Sequence, residues 1–401
     1  YPELFTYLIA IVGLSLSAWS AQRLSRHLFP DAQQWSWTAG CLFGFQALST
    51  VSILEGHIYL LWIFWLPLGW LSLLHLTREN TIQYVSCVIG CWMGAVLTSA
   101  YVGLGLTLLY LIYGIWNWRQ RHRGLLMSGG TIIGLGLFYS WRILNTSTRN
   151  RRTVSDEGVA SLLEEIQFGS SALSNWTTWT PDTDLFQHSL GPTFGWLPLL
   201  ILLSAPWLLQ RTQSAFALTL SVTALLFSMG PYIALSPDQW LLPSPLYPFY
   251  NSIVGHYCHF PVRFMYISVL GVAILMPLIL QQCEKRCSNR VWFLAFACVF
   301  EPVFINGLPL RQGSTPVQYP SIYEQTPFGL AVLDLVPTLA DAHLVESLRI
   351  KNKICSYQVK HTRTLINECL GKHPTGPFEE HLREEMLLPS IQRRWQEPLM
   401  G

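Results

Sequence analysis

Apolar stretches follow one another along the chain up to residue 308, near residues 3–22, 37–54, 58–76, 81–97, 102–118, 124–141, 195–209, 214–235, 264–282 and 291–308. Most approach the ~20 residues that a helix needs to cross a bilayer core. The polar connections between them alternate in charge. Arg23 and Arg26, then Arg78, then Arg119, Arg121 and Arg123, then Arg211, then Lys285, Arg286 and Arg290 occupy one set, whereas the short turns around Glu55–His57 and Ser99–Tyr101 hold no Lys or Arg. Lys and Arg accumulate on cytoplasmic turns. The pattern therefore predicts an all-α polytopic membrane protein of about ten transmembrane helices over residues 1–308, with both chain ends on the extracytoplasmic side. A chain whose residue 1 stands outside also implies at least one further crossing upstream, so the sequence reads as part of a longer product.

Three polar stretches interrupt this pattern, and all fall on the outer side. Residues 142–194 form a long loop, with a helix expected over Ser155–Gln167 because Ser155 can cap it and Asp156 and Glu157 suit its first turn. Residues 236–263 form a loop rich in Pro and aromatic residues. Residues 309–401 read as a small extracytoplasmic α/β tail, with a strand at Gly329–Leu335 and helices at Ala340–Arg349 and near Glu379–Glu385.

Composition sharpens the class. Half of the residues are hydrophobic (51%) and only 12% are charged, against about a quarter in soluble domains. The net charge of +2 is spread over the predicted cytoplasmic turns, and no patch interleaves aromatic and basic residues, so a nucleic-acid partner is not expected. Trp37, Trp118, Trp141 and Trp196 sit near segment ends, where an indole anchors at the headgroups. The nine Cys include no CxxC pair and no spacing typical of zinc. Cys41, Cys87, Cys91 and Cys298 fall in apolar segments and read as packing residues; Cys283 and Cys287 read as reduced thiols. Cys355 and Cys369 share the exported tail, where a disulfide between them is an open alternative to two free thiols.

Soluble-enzyme motifs are missing from the sequence: no GxSxG, HExxH, Walker loop or Rossmann glycine pattern occurs. The chemistry that remains is polar residues where segments meet the outer surface. These are Glu55 and His57, Tyr101, the Asp182 and Asp184 pair, and Asn251, His256, His259 and Arg263. Ionisable groups at membrane level are costly and mark functional sites.

Several of these residues lie in runs that carry a resemblance. Leu54-Glu-Gly-His-Ile-Tyr-Leu-Leu-Trp-Ile-Phe-Trp-Leu-Pro-Leu68 resembles the Gly-His and Leu-Pro-Leu stretch of the YfhO-like branch of the GT-C membrane glycosyltransferases. Leu242-Pro-Ser-Pro-Leu-Tyr-Pro-Phe-Tyr250 and Phe260-Pro-Val-Arg-Phe264 are similar to the loop of that group that precedes a membrane helix. Val332-Leu-Asp-Leu335 and Tyr357-Gln-Val-Lys-His361 look like its extracytoplasmic tail. The resemblance implies a transferase that takes sugar from a polyprenyl-phosphate donor at the outer face of the cytoplasmic (inner) membrane, with a divalent cation as a possible requirement and no cofactor fixed by the sequence. In that superfamily the catalytic carboxylate stands in the first outer loop. Tyr1-Pro-Glu-Leu-Phe-Thr-Tyr7 aligns with the start of the second helix, which places that loop upstream of this chain.

Each candidate carries two readings. Arg263 can clamp the lipid phosphate, since a guanidinium matches phosphate bidentately, or snorkel at a helix end. His57 and His256 can contact donor or acceptor, and His57 can equally satisfy backbone groups in its turn. Tyr101 joins them as a substrate-binding candidate. Glu55 is the weak candidate for a substitute carboxylate, or an ordinary interfacial acid. Asp182 and Asp184, after Thr180-Pro181, read as turn formers. The alternative function is a non-catalytic integral subunit that binds partner proteins through its outer loops and tail.

Overall fold

The computed structural model describes residues 2–46, 48–49, 58–118, 123–147, 163, 166–167, 170–171, 173, 199–204, 212–236, 239–252, 261–287 and 291–305. All lie in one unit, Tyr1–Thr183 with Leu190–Arg311. The expected tail, the Cys355 and Cys369 pair, Asp182 and Asp184 lie outside the described residues. So does most of the expected helix Ser155–Gln167, of which Leu163, Ile166 and Gln167 are helical.

The described chain is mostly helical: α1 Pro2–Leu28, α2 Ser36–Gly44, α3 Trp65–Glu79, α4 Ile82–Thr98, α5 Ala100–Trp116, α6 Arg123–Ser147, α7 Thr212–Ser228, α8 Tyr247–Tyr250, α9 Met265–Cys287 and α10 Val291–Ile305. Short 3-10 turns at Pro30–Trp35, Ile58–Leu61 and Pro261–Phe264 lead into α2, α3 and α9. A two-stranded antiparallel hairpin, β1 Tyr232–Ser236 and β2 Gln239–Pro243, follows α7. One helical stretch, Pro261–Lys285, is long and apolar enough to cross a membrane; Ile82–Thr98, Ala100–Trp116, Gly124–Gly136, Ser214–Ser228 and Val291–Glu301 are shorter apolar helices.

Two of the expected segments differ from the sequence reading. The stretch 37–54 is not one helix, because α2 ends after nine residues and Phe45 leaves helical geometry at φ −107°, ψ 28°. The stretch 214–235 closes at Ser228: Gly230 takes a left-handed φ of 73°, Pro231 withholds a donor, and the chain turns into β1. The loop expected over 236–263 thus holds β2 and α8.

The helices pack through small residues. In α2, a Cβ on Gly40 would stand 2.6 Å from the Ala18 carbonyl oxygen, and one on Gly44 2.8 Å from the Ala18 Cβ, so this Gly-x-x-x-Gly face lies directly on α1. Buried serines bond backbone across helices: Ser17 Oγ donates to the Leu61 carbonyl at 3.0 Å and Ser221 Oγ to that of Ser268 at 2.8 Å. Trp92 Nε1 donates to Thr107 Oγ1 at 2.9 Å, tying α4 to α5, and Tyr110 OH to the Val88 carbonyl at 3.0 Å. Helix α9 runs through the middle, buried along almost its whole length, with Pro277 inside it.

The outward faces are apolar. Leu97 and Phe293 are each 81% exposed and Ile115 73%, and large exposed side chains recur on α1, α4, α5, α6, α7 and α10.

Candidate functional site

Contacts sort the turns of the bundle into two ends. At one end, His27 of α1 meets His75 of α3 with ring centroids 4.7 Å apart. The Asn80 side chain, at the close of α3, accepts a hydrogen bond from the Gly124 amide of α6 at 2.9 Å. Gln34 Nε2 and Trp35 Nε1 donate to Glu284 Oε2 of α9 at 2.5 and 3.0 Å, and Gln281 Nε2 donates to the Asp31 carbonyl at 2.6 Å. Phe216, near the start of α7 and five residues after Arg211, meets Trp116 at the close of α5. The turns that hold Arg23, Arg26, Arg78 and Lys285, the close of α5 and the heads of α6 and α7 therefore share one end.

Arg263 belongs to the other. It precedes α9, whose 23 residues carry the chain about 35 Å from the end where Glu284 sits. Pro261, Val262 and Phe264 of its 3-10 turn are buried, which leaves Arg263 as the half-buried residue of the turn. Its guanidinium carbon stands 4.5 Å from the centre of the Tyr101 ring, a cation–π contact.

Tyr101 is fixed by the tightness of the α4–α5 turn. Ser99 ends one helix, its N–H bonding the Ala95 carbonyl at 2.9 Å, and starts the next, its Oγ accepting from the Tyr101 N–H at 3.3 Å. The Tyr101 ring is thereby held at the head of α5 and is 8% exposed. Behind Arg263, Phe264 packs on Phe227 at 5.3 Å and Phe227 on Phe249 edge-to-face at 5.3 Å, while Tyr250 OH donates to the Phe227 carbonyl. An aromatic wall thus supports the turn that presents the cation.

Of the sequence candidates, the structure brings Arg263 and Tyr101 together. Glu55, His57, His256 and His259 lie outside the described residues, and Asn251 caps α8, its N–H bonding the Tyr247 carbonyl at 2.9 Å. The described Cys41, Cys87, Cys91 and Cys298 are free thiols. Among the described residues no group of three or more His, Cys, Asp and Glu is placed to hold a metal.

Two buried side chains and one half-buried imidazole went unremarked in the sequence. Glu301, the sole charged residue of α10, is 6% exposed; a single acid inside an apolar run was the signal for it. Gln46 is 1% exposed, directly after the break in α2. His27 carries an Nε2 without a partner; burial first, then Arg78, then His75 hold its imidazole below the ordinary 6.5.

What the Arg263 end can do chemically is hold an anion. The guanidinium lies over the Tyr101 π face, and a planar guanidinium is the side chain that matches phosphate or carboxylate oxygens. The chain matches no protein-family model, and comparison with curated proteins and with solved structures gives no match.

Proposed function

We propose that this chain is an integral membrane protein of about ten crossings, with its basic turns on the cytoplasmic side and Arg263 at the outer surface. There it acts as a GT-C-like glycosyltransferase on a sugar carried by a polyprenyl phosphate. The observation that carries this reading is the pairing of a cation, Arg263 over Tyr101, with the end of the bundle opposite the basic turns. The large apolar side chains exposed on six helices support the bilayer, since water-facing patches of that kind are rare. The buried serines support it too, because small and hydroxylated residues are what pack helices in lipid.

In such a reaction an acceptor oxygen attacks the anomeric carbon, the bond to the phosphate oxygen breaks, and the acceptor's proton passes to a base. Negative charge then grows on the departing phosphate, and in this reading Arg263 stabilises it. Glu55 is the base this reading names. His57 and His256 are its further substrate contacts, and a divalent cation is compatible with it.

A second reading is favoured by where three of the described acids stand. Asp31, Glu79 and Glu284 lie at the end away from Arg263, while Glu301 is buried in α10. A non-catalytic subunit that keeps the scaffold and binds partner proteins through loops 142–194 and 236–263 and the tail fits that distribution. Transfer from a polyprenyl-phosphate sugar in proteoliposomes separates the two. The enzyme shows turnover that Arg263→Lys reduces while the purified variant stays monodisperse; the subunit shows none in the wild type.

A further inference from the structure

The break after α2 stands deep in the bundle. Helix α2 starts beside Trp35 at the end where Glu284 sits, and nine residues at about 1.5 Å each carry it roughly 13 Å, under half of a ~30 Å hydrocarbon core. There the helix stops, and the Ser49 N–H bonds the Gln46 carbonyl at 3.0 Å to close a turn. Both side chains of that turn are buried, Gln46 at 1% and Ser49 at 0% exposure. Gln46 Oε1, Gln46 Nε2 and Ser49 Oγ have no hydrogen-bond partner among the described residues. Ser268 Oγ, on the helix α9 against which α2 packs, is buried and unpartnered as well.

An amide buried with both ends unpaired is costly in any protein. At membrane depth, irregular backbone is kept where it is enclosed by protein or lines an aqueous cavity, and interrupted helices at the bilayer midplane are where polar ligands bind. The groups on offer are one amide acceptor, one amide donor and a hydroxyl, all uncharged, so the chemistry they match is a neutral hydrogen-bonding ligand.

We propose that the interruption after α2, closed over Gln46 and Ser49 in this structure, opens as a recess that admits water and binds uncharged hydroxyl- or amide-bearing groups, with Gln46 and Ser49 as its hydrogen-bonding residues. The recess rests on the membrane reading, because mid-depth has meaning only in a bilayer.

Substituted-cysteine labelling tests it in the full chain with its native cysteines replaced by Ala or Ser. The probe is methanethiosulfonate ethylammonium, which reacts with a thiolate, a species that forms where water reaches the sulfur. Ser49→Cys is compared with Ile133→Cys, an outward position on α6 that is 59% exposed. The recess predicts labelling at Ser49→Cys and none at Ile133→Cys. No labelling at either position overturns the recess and leaves the membrane reading intact, whereas labelling at Ile133→Cys overturns the membrane reading and the recess with it. Gln46→Leu gives a second readout: the apparent melting midpoint in detergent falls if the amide is hydrogen-bonded in the recess, and a rise overturns the assignment.

Discussion

Arg263 and His27 show how one side chain can be read at each end of the bundle. Arg263→Lys keeps the charge but loses the planar fork and most of the overlap with the Tyr101 ring. The expected outcome is a fall in transfer rate larger than any fall in stability. Arg263→Ala goes further, by about 1.5–3 kcal/mol for a lost charge-assisted bond. Measuring turnover beside thermal unfolding checks this, and equal losses in both would make the residue structural. At the other end, His27 is held below its ordinary 6.5 by burial, Arg78 and His75. The unfolded chain therefore binds more protons than the folded one below about pH 6.5, and stability falls as the pH is lowered through that range. Glu79, whose Oε1 stands 3.9 Å from His75 Nδ1, and Tyr84, stacked on His75 at 5.0 Å, complete the cluster. His27→Gln is expected to flatten the acid side of a melting-midpoint profile; a profile with unchanged slope would place the acid sensitivity elsewhere.

At the scale of elements, the decisive packing is α2 on α1. Gly40→Ala puts a methyl 2.6 Å from the Ala18 carbonyl oxygen, and that partner is backbone, so the helices have to separate. Overpacking of this kind costs about 1–3 kcal/mol, and the melting midpoint in detergent is expected to drop. Gly90→Ala is the matched control, since a Cβ there meets nothing within 4 Å. Equal midpoints for the two would show that the Gly40 contact is not what joins α1 and α2. The same element shows the limit of hydropathy: the run 37–54 reads as one apolar segment, yet its helix breaks at Phe45. Local composition registers how apolar a stretch is, while α2 packs against α1 and α9, contacts that a single sequence does not display.

At the scale of the whole bundle, the described basic turns at Arg23 and Arg26, Arg78 and Lys285 stand out in sequence because charge placement is a one-dimensional pattern. The contacts His27 to His75, Asn80 to Gly124 and Trp35 to Glu284 gather those turns at one end. The site was half legible. Arg263 stood out as a cation at the head of an apolar segment, and Tyr101 as a polar ring in an unbasic turn, but their meeting depends on how α5 and α9 pack 162 residues apart in sequence. Glu301 and Gln46 were overlooked because each sits inside a run whose apolar character dominates it.

The central claim is that the two ends of the bundle face opposite sides of a membrane. Single cysteines at Gln33, exposed at the basic end, and at Leu241, exposed on the hairpin, report the two sides in a cysteine-free background. With an impermeant maleimide, Leu241→Cys is expected to label in intact cells and Gln33→Cys only after permeabilisation. Labelling of Gln33→Cys in intact cells, with or without Leu241→Cys, would contradict the account.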